Sequence, residues 1–157
     1  MMKIPEGKYK DLMNTPFRFG GRGRHCVCGR EYADSDAAVC SLCRAKLVGT
    51  SFYDCYGLAM EVCRRNDVEL PAHTSVCEPR LTFEAIERGK SDFLELDKPE
   101  PFCLVVLDIK APYQTHIGVV LEDPAWFIHI MPKRSVGIKR LRKWERRVDG
   151  YFRYIGG

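Results

Sequence analysis

Thr115-His116-Ile117-Gly118-Val119-Val120-Leu121-Glu122-Asp123-Pro124-Ala125-Trp126-Phe127-Ile128-His129-Ile130-Met131 is the stretch that decides the architecture. Two runs rich in β-branched and aromatic residues, 116–121 and 126–131, flank Glu122-Asp123-Pro124-Ala125. Asp and Pro are turn residues, so the pattern predicts two strands joined as an antiparallel hairpin. If the turn takes four residues, Leu121 faces Trp126 and Gly118 faces His129. His116 and His129 then lie diagonally on one face, about 7–8 Å apart between backbones and within side-chain reach. A turn one residue shorter sends them to opposite faces. Gly118 leaves room for an imidazole beside it.

The rest of the chain is read outward from this hairpin. Cys103-Leu104-Val105-Val106-Leu107 is apolar throughout, as a central strand is, and Val148 to Ile155 reads as a further strand. Upstream, residues 53–66 predict the clearest helix. Leu58 and Val62, with Cys55, Ala59 and Cys63, recur at steps of three and four. Asp54 or Ser51 can cap its start, Asn66-Asp67 closes it, and Pro71 forbids a restart. Pro79 to Arg88 predicts a weaker helix stopped by Gly89. Lys90 to Pro101 reads as charged and turn-rich, and residues 1–15 as a polar surface wrap. A helix first and an antiparallel sheet afterwards predicts an α+β fold.

The bulk composition sets limits. With 157 residues and 45% hydrophobic content, one domain spanning 1–157 with one core is expected. No run of about 18 apolar residues exists, so no membrane-spanning helix is expected. The first residues lack an apolar segment of signal-peptide type, so synthesis and folding are expected in a reducing cytoplasm. The net charge of +4 permits an anionic partner without demanding one. Lys133, Arg134, Lys139, Arg140, Arg142, Lys143, Arg146, Arg147 and Arg153 crowd the last quarter. A solvated surface is the ordinary reading of such a run, and a docking face for a polyanion or acidic partner is the alternative.

Cys55 opens the predicted helix, where backbone N–H groups favour a thiolate. An imidazole that accepts the thiol proton completes a nucleophile, and that imidazole needs an orienting partner at its other nitrogen. His116 fits the first role. Taken singly, Cys55 could be an inert buried thiol and His129 a satisfied core histidine. Their joint placement favours a catalytic set.

Eight cysteines in a reducing compartment need a reason other than disulfides. Cys26-x-Cys28 and Cys40-x2-Cys43 lie in residues 22–50, a segment with few large apolar side chains. Four thiolates at this spacing can close a tetrahedron around zinc, which would staple a segment that has no core of its own. Two disulfides, an iron–sulfur cluster and free thiols are the alternatives, and His25 is an alternative ligand. Residues 22–50 are therefore expected to form a small zinc-binding insertion beside the cleft. Cys63, Cys77 and Cys103 are expected to do no chemistry.

At this point the motifs resemble a family. Asp54-Cys55-Tyr56-Gly57-Leu58 resembles the Asp-Cys-Ser-Gly-Leu/Phe of NlpC/P60 cysteine peptidases. His116 to Leu121 is similar to their His-Val-Gly-Ile-Tyr-Leu, and Trp126-Phe127-Ile128-His129 to their Arg-Phe-Ile-His. Thr15-Pro16-Phe17-Arg18-Phe19-Gly20-Gly21 resembles the piece that precedes their nucleophile. Tyr56, Glu69-Leu70-Pro71, Trp144, Arg147 and Gly150-Tyr151-Phe152-Arg153 look like the branch found with phage tail-assembly proteins. The resemblance implies a papain-like core cleaving peptide stems of bacterial peptidoglycan, typically between D-glutamate and a diamino acid. By position Cys55 is the nucleophile, His116 the base and His129 its orienting residue, with Phe17 and Tyr56 beside the substrate. Phe17 stands where the family has tyrosine, and Tyr56 where it has serine.

The reading that follows is a phage- or prophage-tail-associated cysteine hydrolase of peptidoglycan. The rival is a tail or adaptor protein that keeps the fold and only binds. A zinc-knuckle nucleic-acid binder leaves the Cys–His–His set unexplained and ranks last.

Overall fold

The structure, a computed structural model, describes residues 5–17, 24–25, 31–32, 53–71, 92–109, 116–131 and 134–156. Strands β1 (Arg24–His25) and β2 (Glu31–Tyr32) form a short antiparallel ribbon. Helix α1 (Cys55–Arg64) follows. Then come β3 (Phe93–Leu96), β4 (Leu104–Leu107), β5 (His116–Val120), β6 (Trp126–His129), β7 (Gly137–Arg140) and β8 (Val148–Tyr154). These last strands make one antiparallel sheet in the order β3-β8-β4-β5-β6-β7. The α+β expectation holds.

The hairpin forms as its sequence requires. Val119 pairs with Ile128 and Val120 with Phe127, and the Leu121 N–H donates to the Trp126 carbonyl at 2.9 Å. The turn is therefore Glu122–Ala125. Its Asp123 carboxylate accepts from the Ala125 N–H at 3.0 Å, the local bond that makes Asp a turn residue.

Alternation along the strands gives two apolar layers. On one face, α1 buries Leu58, Ala59, Val62 and Cys63 against Leu104, Ile117, Val119, Leu121 and Ile128. On the other, Cys103, Val105, Leu107, Val120 and Phe127 pack with Leu141, and Trp144 lies against them. Leu141 and Trp144 belong to a 3-10 segment, Leu141–Arg147, that covers this second face. The β4 run is buried throughout because it contributes to both layers, as expected of a central strand. Opposite its end, β8 carries a bulge. Val106 pairs with Gly150 and Leu107 with Val148, which leaves Asp149 as the extra residue.

Three expectations are corrected. Residues 1–15 are more than a surface wrap. A 3-10 helix, Gly7–Leu12, buries Tyr9 and Leu12, because these two apolar side chains fall on its inner side. The Tyr9 hydroxyl donates to Glu122 at 2.8 Å and accepts from Asn66 Nδ2 at 2.8 Å, tying this helix to α1 and to the hairpin turn. Within the charged stretch 90–101, Phe93–Leu96 forms edge strand β3 on β8. Gly137–Arg140, within the basic last quarter, forms edge strand β7 on β6. The expected helix at Pro79–Arg88 lies outside the described residues, as does most of the 22–50 insertion.

Candidate active site

Asp54 fixes where α1 begins. Its backbone is extended (φ −97°, ψ −177°), and its carboxylate accepts from the Gly57 N–H at 2.7 Å. Its carbonyl accepts from the Leu58 N–H at 3.0 Å. This is an N-cap, so Cys55 is the first helical residue, in the turn whose N–H groups have no intrahelical acceptor and favour negative charge. Cys55 is half-buried. The other two described thiols are sealed in the core. Burial pushes Cys63 up to about 12 and Cys103 up to about 11. Neither can supply a thiolate at neutral pH.

Thr15-Pro16-Phe17 threads between the start of α1 and the approach to β7. Phe17 and Tyr53 form a parallel bridge, and the Tyr53 N–H donates to the Pro16 carbonyl at 3.3 Å. On the other side the Phe17 N–H donates to the Arg134 carbonyl at 3.0 Å, and the Val136 N–H to the Thr15 carbonyl at 2.9 Å. Phe17 is thus held two residues from the nucleophile position in the Tyr53 strand segment. Tyr56 is 7% exposed, and its hydroxyl donates to the Pro71 carbonyl. It anchors the chain that doubles back after α1.

The two histidines meet as the four-residue turn requires. His116 Nε2 and His129 Nδ1 are 2.8 Å apart, and both residues are buried. Gly118 leaves space as expected, but Phe127 fills it. A Cβ on Gly118 would fall 2.8 Å from Phe127 Cδ2. Phe127 in turn lies 4.8 Å from the His129 ring, centroid to centroid. Trp144 reaches the same ring at 5.0 Å with an interplanar angle of 78°.

Burial dominates the electrostatics of the pair. It holds His116 well below the usual histidine value of 6.5, and the neighbouring His129 lowers it further. His129 is lowered to about 4, by burial first and by the Lys139 charge second. Both imidazoles are therefore neutral at pH 7, and one hydrogen lies between them. A base at His116 requires that hydrogen on His116 Nε2, donated to His129 Nδ1, which leaves His116 Nδ1 to accept a proton.

Helix α1 packs on β5, the strand that His116 begins, and Cys55 begins the helix. Ile117 and Val119 face α1, whereas His129 lies on the other face with Phe127 and Trp144. His116, the first residue of β5, shares the face of His129 and contacts it there.

The residue spacing does not predict Trp144 as a neighbour of the site. It comes from a 3-10 segment, and no helix- or strand-period pattern links it to His129. Cys26, Cys28, Cys40 and Cys43 lie outside the described residues. Among the described residues no group of three or more His, Cys, Asp or Glu side chains could hold a metal ion. Among the described residues, too, no helix is long and apolar enough to cross a membrane.

No family model matches the chain, and no curated protein does. A solved structure does: that of a Staphylococcus aureus protein described as similar to lipoprotein, NLP/P60 family. The TM-score is 0.51 at 19% identity, covering 94% of this chain and 39% of the other. The chain thus spans less than half the length of that protein. The likeness shows the fold, an NlpC/P60-like packing of one helix on an antiparallel sheet.

Proposed function

We propose that the protein is a cysteine hydrolase acting on peptide stems of bacterial peptidoglycan, with Cys55 as nucleophile, His116 as base and His129 as its orienting residue. The observation that carries this reading is the 2.8 Å contact of two neutral, buried imidazoles at the start of the strand on which the Cys55 helix packs. The reaction follows from the groups present. The thiol proton passes to His116 Nδ1 while sulfur attacks the amide carbonyl carbon. The Cys55 N–H at the helix end stabilises the oxyanion. His116 then gives the proton to the leaving amine, and the C–N bond breaks. Water, deprotonated by His116, cleaves the thioester and restores the thiol. The bond between D-glutamate and a diamino acid is the expected one, and a phage or prophage tail the expected setting. Phe17 and Tyr56 are assigned to the substrate side, Tyr56 through the helix position it anchors.

Residues 22–50 are proposed to be held by zinc on Cys26, Cys28, Cys40 and Cys43. The ribbon supports this: pairing of Arg24 with Tyr32 and His25 with Glu31 draws together the two ends of the segment that carries Cys26 and Cys28. Metal analysis of fresh protein should return about one zinc per chain. Under half an equivalent would remove the site.

The binding-only adaptor is the rival. A base held neutral by burial supplies no imidazolium to stabilise a resting thiolate, so turnover must rely on proton transfer during attack. Incubating peptidoglycan peptides with the protein and with Cys55→Ala, and reading new amines by mass spectrometry, separates the two. Release by the parent alone supports the hydrolase. Release by neither, with an intact thiol, supports the adaptor.

A further inference from the structure

We propose that Trp144 is a positioning residue. Packed edge-to-face on His129, it holds that ring in the orientation in which Nδ1 meets Nε2 of His116. The inference deepens the assignment of His116 as base and rests on it.

An imidazole on a strand has a soft terminal torsion with two near-equivalent ring settings. Turned by half a circle, His129 would present a C–H where Nδ1 now stands, and the 2.8 Å contact would be lost. Something must select the setting. Lys139, whose Cα pairs with Phe127, contributes charge, and its side chain is exposed. Besides His116 itself, at 5.0 Å and 66°, the ring neighbours are Phe127 at 4.8 Å, tilted by 46°, and Trp144 at 5.0 Å and 78°. Trp144 also packs on Phe127, at 5.8 Å and 81°. The three rings close a triangle with His129 at one corner. Phe127 is two residues from His129 on β6 and moves with it, so it cannot fix the ring independently. Trp144 can, because it comes from outside the sheet.

The segment that carries Trp144 is built to present it. A 3-10 helix has three residues per turn, so Leu141 and Trp144 stack on one side and both turn inward. Arg142, Lys143, Glu145, Arg146 and Arg147 are exposed. Both ends are pinned: the Leu141 N–H donates to the Ala125 carbonyl at 2.9 Å, and the Arg147 carbonyl accepts from the Asp108 N–H at 2.7 Å. The indole is thus braced against His129 from a fixed strap. The bond it supports joins two buried rings, where low polarity strengthens a hydrogen bond.

The test uses the full chain labelled with 15N in histidine, as parent, Trp144→Phe and Trp144→Leu. The parent should show His116 protonated on Nε2, with that proton protected from exchange. Trp144→Phe should keep the pattern. Trp144→Leu, apolar but without an aromatic face, should lose it, giving averaged ring shifts and a fast-exchanging proton. In the peptide assay Trp144→Leu should lower kcat about 10–100-fold with KM nearly unchanged, the usual loss when an outer supporting group goes. A folded Trp144→Leu protein with the parent's shifts and protection overturns the proposal. Altered shifts in a chain that never turns over substrate would uphold the positioning role while removing the hydrolase reading. Unchanged shifts with intact turnover would do the reverse.

Discussion

Gly118 and Phe127 show how little freedom the site has at the scale of single residues. The missing Cβ on Gly118 lets the Phe127 ring approach β5 closely, and that ring packs against His129. A methyl there would also stand 3.1 Å from the Ile128 carbonyl oxygen, which belongs to the sheet backbone and cannot step aside. Gly118→Ala should therefore destabilise the protein by about 1–3 kcal/mol in urea unfolding and displace Phe127 toward the histidines. The thiols differ as sharply. Cys55 is half-buried at a helix start, whereas Cys63 and Cys103 are buried with their titration pushed up to about 12 and about 11. Iodoacetamide at neutral pH should modify Cys55 first among these three, read by peptide mapping. Equal, slow labelling of all three would sink the nucleophile assignment. The histidine pair was legible in the sequence because strand alternation and turn length fix which side chains share a face. Trp144 was not, because its contact with His129 depends on a 3-10 segment folding over the sheet, a placement with no local sequence period.

At the scale of elements, α1 is set by its two ends. Asp54 caps the first turn, and Asp67 closes the last in the left-handed region, at φ 63°. The bonds there are those of a Schellman closure: the Val68 N–H to the Cys63 carbonyl at 2.9 Å, and the Asp67 N–H to the Arg64 carbonyl at 3.2 Å. Glycine takes that conformation without steric penalty. Asp67→Gly should thus raise stability by about 0.5–1 kcal/mol, whereas Asp54→Ala should lower it by about 1 kcal/mol and loosen Cys55. Chemical denaturation of both variants checks the pair of signs. The strands of the large sheet that the sequence pattern does not reveal, β3 and β7, are both edge strands of four residues with charged side chains. Their pairing is supplied by β8 and β6, far along the chain or across a turn, and strands of four residues carry little period of their own. The central strand β4 was legible for the opposite reason, since burial on both faces demands an unbroken apolar run.

At the scale of the whole molecule, the buried histidine pair links folding to pH. In the unfolded chain each imidazole binds a proton near pH 6.5, whereas in the fold His129 does so only near 4 and His116 is lowered as well. Between these values the unfolded state holds protons that the native state refuses, so stability rises with pH there. It is fully present above about 6.5 and is lost as pH falls toward 4. For His129 alone the loss is on the order of 2–3 kcal/mol. Lys139 adds to the effect, because its charge opposes a second positive charge at His129. Carboxylates also protonate in the lower part of this window, so the histidine share must be isolated by difference. Urea unfolding at pH 7.5, 6 and 5 should show a steep decline for the parent and a shallower one for His129→Asn, which has no proton to refuse. Parallel declines in the two proteins would mean that the pair is not held neutral by the fold. The His116 base would then lack the protected, uncharged setting from which it is argued to take the Cys55 proton.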